Sequence, residues 1–171
     1  QYLPFDPLFA DSGATLGGTE ASGLSGPASL LYWTLRDFVM EVEFIDGLGE
    51  LVRGGGKVVK NAAGFDFPKL MVGSYGRLGL LTEVTLKVLP RPVARLTLGE
   101  SCQSLSAAIE ASQQLLSHPL PIAAMELNED LMLQVQFEGL EESLEKVEQR
   151  AGEILGRSLQ RQDSLQMPFP D

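Results

Sequence analysis

From residue 38 to residue 45 large apolar side chains alternate with a second set: Phe38, Met40, Val42 and Phe44 stand on one face, and Val39, Glu41, Glu43 and Ile45 on the other. A period of two predicts a strand. The DGLGE that follows reads as a turn into a second strand at LVR, because Asp-Gly between apolar runs is a hairpin signal. LLTEVTLKVL is a longer strand, with Leu80, Thr82, Val84, Leu86 and Val88 on one side and Leu81, Glu83, Thr85, Lys87 and Leu89 on the other, so that its charges share one face. Between these strands Asp66, with Pro68 just behind it, predicts the start of a short helix: the carboxylate can accept a free backbone N–H, and the proline ring presets φ in the first turn.

The rhythm changes after PRP at residues 90–92, where two prolines rule out a central strand and favour an extended connection. VARLTL predicts a strand, and QSLSAAIEASQQLL a helix with Leu105, Ala108, Ile109, Ser112, Leu115 and Leu116 along one stripe. PIAAMEL and DLMLQVQFEG form a hairpin about a polar turn at Asn128–Asp130. LEESLEKVEQRAGEIL predicts a second helix with Leu140, Leu144, Val147, Ala151, Ile154 and Leu155 inward. Strand, helix, strand, strand, helix is most of a split βαβ arrangement, in which helices cover one sheet face. The expected class is therefore α+β. The expected divisions are a domain over residues 1–92, a small ferredoxin-like cap over 93–156 and an irregular tail over 157–171.

Composition narrows the function classes. Thirteen Lys and Arg against twenty-three Asp and Glu leave a net charge of -10, which speaks against nucleic acid or anionic lipid as a partner. One cysteine, Cys102, excludes an internal disulfide and fits a reducing compartment, so the cytoplasm is the expected location. No apolar run reaches the roughly 18 residues of a membrane span. The chain starts at Gln1 and enters PFDPLF abruptly, which suggests a fragment of something longer.

Glycine is concentrated before residue 80, in three loops: GATLGGTEASGLSG, KNAAGFDFPKL and GSYGRLGLLTEV. Without Cβ atoms, such backbone lets a ligand touch the main chain and leaves amides free for phosphate oxygens. Each loop alone could be a tight turn; the set of three is more than turns require. No Rossmann spacing and no phosphate-loop GKS or GKT occurs.

In their order, GATLGGTEASGLSGP, RDFVMEVEFIDGLGE and KNAAGFDFPKLMVGSYGRLGLLTEVTLKVLPRP resemble the FAD-binding flavoprotein family that includes vanillyl-alcohol oxidase and p-cresol methylhydroxylase, and within it the FAD-binding subunits of bacterial glycolate oxidases. The resemblance is continuous from about residue 3 to 93 and weaker in the second half. It implies a second subdomain of a p-cresol-methylhydroxylase-type FAD domain, with non-covalent FAD held between two subdomains, the other lying upstream of residue 1. By that resemblance Gly17, Gly18, Thr19, Ala21, Gly23 and Gly26 approach the cofactor, with Gly64, Gly73, Ser74, Gly76, Gly79 and Leu81 as further cofactor-binding candidates. It also implies oxidation of glycolate, a 2-hydroxy acid, to glyoxylate, and two partners, a catalytic flavoprotein subunit and an iron–sulfur subunit. Through those partners the chain could also sit at the periphery of the inner membrane. Two other readings stay open: a self-sufficient flavin-dependent D-lactate-type dehydrogenase, and a flavin-free interaction scaffold.

Acid–base chemistry is poorly represented. A 2-hydroxy-acid dehydrogenase is expected to present a base, commonly His, yet His118 is the one histidine and falls at the end of a predicted helix, where a cation is favoured. With no second His or Cys at ligand spacing, no metal site is expected. Arg36 and Asp37 read as strand-entry residues or as flavin-site residues. Lys60 and Asn61 read as loop residues or phosphate contacts, Tyr32 and Trp33 as core or interface residues, and Cys102 as a structural thiol. No catalytic residue is assigned.

Overall fold

A computed structural model describes residues 1–56 and 64–164. Their contacts divide them into two units, one of Gln1–Ser29 and Trp33–Pro90, the other of Leu30–Tyr32 with the chain from Arg91 onward.

The first unit is built on an antiparallel three-stranded sheet in the order β2-β1-β3, with β1 at Val39–Ile45, β2 at Leu51–Gly55 and β3 at Leu80–Leu86. The predicted DGLGE turn forms because the Asp46 carboxylate accepts the amides of Leu48 at 2.8 Å and Glu50 at 2.9 Å. Register shifts in the β1–β3 pairing, between Val39 and Glu41 and again between Glu43 and Phe44, interrupt the simple alternation expected for β1. Phe38, which ends the 3-10 turn before β1, is buried together with Val39, Val42 and Phe44. Helix α1 spans Leu16–Ser22, α2 Ser29–Tyr32 and α3 Phe67–Met71. α3 starts as predicted, with the Asp66 side chain accepting the Lys69 amide at 3.2 Å, and it seats the Phe67 ring 5.7 Å from that of Phe44. Asp66→Ala is expected to lower stability by about 1 kcal/mol through loss of this cap, readable as a small drop in the thermal midpoint.

The second unit runs β4 (Ala94–Ser101), α4 (Leu105–Leu116), β5 (Ile122–Leu127), β6 (Met132–Gly139), α5 (Glu141–Leu155) and β7 (Gln160–Gln162). Its sheet is antiparallel throughout in the order β5-β6-β4-β7, so the expected ferredoxin-like arrangement is present and is completed by a strand from the tail. The expectation of an irregular tail over 157–171 is corrected at Gln160, Arg161 and Gln162, which pair with Gly99, Leu98 and Thr97, while residues 165–171 lie outside the described residues. Leu96, Leu98, Leu133, Val135 and Phe137 of the sheet pack with Ala111 and Leu115 of α4 and Leu144 and Ala151 of α5. The α4 stripe holds at Ala108 and Leu115 and is corrected elsewhere. Ala108, Ala111 and Leu115 face the core, whereas Leu105, Ile109 and Leu116 are about half exposed, because small alanines allow the helix close to the sheet. Leu140, expected inward, is the exposed N-cap of α5. Among the described residues no helix is long and apolar enough to cross a membrane.

Candidate functional site

The first glycine stretch is not the loop expected from its composition. Thr15 caps a helix, its hydroxyl oxygen accepting the Gly18 amide at 3.0 Å, and Gly23 ends the helix in the left-handed conformation with its amide on the carbonyls of Thr19 and Glu20. Good caps at both ends outweigh the poor helix propensity of two glycines in the first turn.

The third stretch docks on this helix. Gly73 donates its amide to the Glu20 carbonyl at 3.0 Å, and Tyr75 donates to the Ala21 carbonyl at 2.8 Å. Gly23 and Gly73 meet so closely that a Cβ on Gly23 would lie 3.1 Å from the Gly73 Cα, and a Cβ on Gly17 would lie 3.7 Å from Leu81 Cβ at the start of β3. Gly17, Gly18, Thr19, Ala21, Gly23, Gly73, Ser74 and Leu81 are therefore parts of one wall, made of α1, the turn after α3 and the start of β3. Thr19 is buried in it, and the Ser74 hydroxyl is buried without a hydrogen-bond partner.

The remaining candidates have other settings. Gly26 gives its amide to the carbonyls of Phe5 and Asp6, and a Cβ there would fall 2.6 Å from Asp6 Cβ, so chain packing alone accounts for glycine. Gly79 likewise abuts the Ile45 carbonyl of β1, 2.5 Å from where a Cβ would be. Gly76 continues the turn with φ at 71°, and a Cβ there would meet no atom within 4 Å. Gly64 lies away from the wall, on a separate cavity of about 330 Å³ bordered by Arg36, Asp37, Lys69 and Lys87.

Of the residues weighed for chemistry, Asp37 accepts the Thr34 amide at 3.3 Å and closes the 3-10 turn that leads into β1. Lys60 and Asn61 lie outside the described residues. His118 is exposed at the end of α4, its Nδ1 2.8 Å from the Gln114 carbonyl. Burial pushes the Cys102 thiol up, away from the reactive thiolate, with the Glu100 carbonyl 3.7 Å from its sulfur. Trp33 is 67% exposed and so is no core residue, whereas the half-buried Tyr32 donates its hydroxyl to the Glu138 carboxylate within the second unit. Among the described residues no three His, Cys, Asp or Glu side chains converge as metal ligands.

Sequence reasoning missed Glu20. It lies in α1 with 1% exposure, and neither carboxylate oxygen has a hydrogen-bond partner, so burial pushes its carboxyl up to about 7. Its position between Thr19 and Ala21 in a small-residue stretch gave no sign of burial, since the stretch read as a loop.

No family model matches the chain. Glycolate oxidase subunit GlcE of Escherichia coli (strain K12) is 41% identical to it over 171 residues, which is 99% of this chain and 48% of that protein. Glycolate oxidase subunit GlcD of Bacillus subtilis (strain 168) is 33% identical over 66% of this chain and 24% of its own length. A D-lactate dehydrogenase of Anaerostipes hadrus is 34% identical over 75% of this chain and 27% of its own length. The chain thus spans about half of the first protein and about a quarter of the other two. Among solved structures, alkyldihydroxyacetonephosphate synthase shares the fold, with a TM-score of 0.67 at 22% identity over 90% of this chain and 34% of that one. The chain is thus similar along almost all of its length to glycolate oxidase subunit GlcE, and over its larger part to glycolate oxidase subunit GlcD and a D-lactate dehydrogenase.

Proposed function

We propose that this chain forms one wall of the FAD site in a glycolate oxidase-type flavoprotein subunit, part of a complex that oxidises glycolate to glyoxylate. The observation that carries the reading is the pair Gly17 and Gly18 at the start of α1. A Cβ at Gly17 would make only an ordinary contact, 3.7 Å from Leu81 Cβ, and one at Gly18 would meet the Thr15 hydroxyl at 3.2 Å. Each glycine weakens a helix by up to about 1 kcal/mol relative to alanine, and the interior of the chain gives little in return. A ligand that lies against the main chain does give a reason, and an extended dinucleotide with two phosphates is such a ligand. The residues present fit FAD in this respect. Backbone in place of lysine would meet its phosphates, which is how a chain of net charge -10 can hold an anion.

Bound FAD would supply the hydride-accepting chemistry. This chain's part is to hold and orient: α1 offers a face bare of side chains, Leu81 backs it, and the Gly73–Gly76 turn locks α1 in place. No described residue here is placed as the substrate base, which suits a subunit that works beside a catalytic flavoprotein subunit and an iron–sulfur subunit. In this reading the complex is cytoplasmic, with contact to the inner membrane made by its partners. The match to GlcE along 99% of the chain favours this over a D-lactate-type enzyme, whose similarity covers 75%. A flavin-free scaffold leaves Gly17 without a purpose.

The test is a titration of FAD, followed by flavin absorbance and fluorescence, against the 171-residue chain and against a version extended to the length of GlcE. Stoichiometric binding by the longer protein is expected, with at least 100-fold weaker binding by the shorter one. Absence of binding by the longer protein would overturn the proposal.

A further inference from the structure

Glu20 joins two opposed features in one residue. Its carbonyl accepts the Gly73 amide at 3.0 Å, and so belongs to the pair of hydrogen bonds that closes α1 on the turn, the other being Tyr75 to Ala21 at 2.8 Å. Its side chain, 1% exposed, is buried with no donor to either carboxylate oxygen. A neutral carboxyl tolerates such a place; a carboxylate stripped of water and given neither donor nor cation does not. α1 carries no other charge. Of the elements that meet α1, β3 carries Glu83 and the turn carries Tyr75 and Arg77. None of them offsets the charge: burial is the cause that raises the carboxyl from 4.5 to about 7.

We propose that Glu20 is a proton-operated latch, which when neutral lets α1 close on the Gly73–Gly76 turn and when ionised loosens that closure. The folded state holds the proton more tightly than the unfolded state does. The latch is therefore fully closed below the ordinary carboxylate range, weakens as pH rises from 4.5 towards about 7, and stays weak above it. On the flavin reading given above, FAD affinity follows the same course, so that a physiological shift in pH would tune occupancy of the site.

Amide exchange at Gly73 and Tyr75, measured by NMR between about pH 5.5 and 8.5 and corrected for the intrinsic rate, reports on the latch without any flavin. Protection of both amides is expected to fall at least tenfold across that range in the wild type and to stay level in Glu20→Gln, with Glu20→Leu as the second proton-free variant. A level wild-type profile, or a variant that keeps the wild-type slope, would overturn the latch. The FAD dissociation constant of the extended protein over the same range forms the second arm, expected to rise with pH in the wild type alone. A sloping exchange profile with no flavin binding would keep the latch and remove the flavin reading; flavin binding with level exchange would do the reverse.

Discussion

Gly55→Ala is expected to lower the stability of the first unit by about 3 kcal/mol, moving its urea midpoint down by about 1 M or more. Gly55 ends β2 with φ at 89°, where a Cβ costs roughly 1–2 kcal/mol on conformational grounds alone. The added atom would also stand 2.2 Å from the Met40 carbonyl oxygen, 2.7 Å from Pro68 Cγ and 2.9 Å from Glu41 Cα. Little of this can give way. The Met40 carbonyl is held by the Gly56 amide at 3.0 Å, and Gly55 itself is paired with Glu41. Overpacking of this kind adds about 1–3 kcal/mol. Gly13→Ala separates the two contributions, because Gly13 has φ at 84° but no atom within 4 Å of where the new methyl group would stand. It should show the conformational part only. Equal losses at the two positions would mean that the contact with Met40 relaxes freely.

The double replacement Gly17→Ala with Gly18→Ala should act in the opposite sense on the two properties that matter. Two alanines favour the first turn of α1 by up to about 2 kcal/mol in propensity, reduced by crowding of Thr15 at the second position, so the thermal midpoint of the flavin-free chain should hold or rise. FAD affinity of the extended protein should nonetheless fall by about 30-fold, the equivalent of roughly 2 kcal/mol of lost backbone contact. Ligand affinity lost without stability lost is what a surface kept bare for a ligand predicts. Unchanged affinity would show that the flavin does not approach this helix.

The two units differ in how openly their sequence declares them. β1 was legible as a strand because Val42 and Phe44 keep the period of two, β3 was legible from its run of β-branched and apolar residues although none of them is fully buried, and α5 was legible from a stripe that includes Leu144 and Ala151. The bulges of β1 were not legible, since they arise in the backbone pairing and leave the side-chain types unchanged. α4 misled in part because large apolar residues dominate a periodicity argument, whereas its buried positions are Ala108, Ala111 and Leu115. β7 carries only Gln160, Arg161 and Gln162, a strand by virtue of its partner and not of its composition. In the candidate site, glycine content made a capped helix read as a loop. The caps that convert GGTEASG into a helix, Thr15 and Gly23, were present in the sequence but outweighed by the pair of glycines. What brings Gly73 to Glu20 is a hydrogen bond across more than fifty residues, and no local pattern encodes that.

Those three residues of β7 also cover part of one edge of β4. β4 carries the buried Leu96 and Leu98, and β7 is its sole cover on one side, spanning Thr97 to Gly99 out of the eight residues from Ala94 to Ser101 among the described residues. A strand left open along its length is a template for another chain. The hold on β7 is partly electrostatic, through Arg161 and Glu148 of α5. Salt screens an exposed pair of this kind, so high ionic strength is expected to loosen the hold of β7 on the edge of β4.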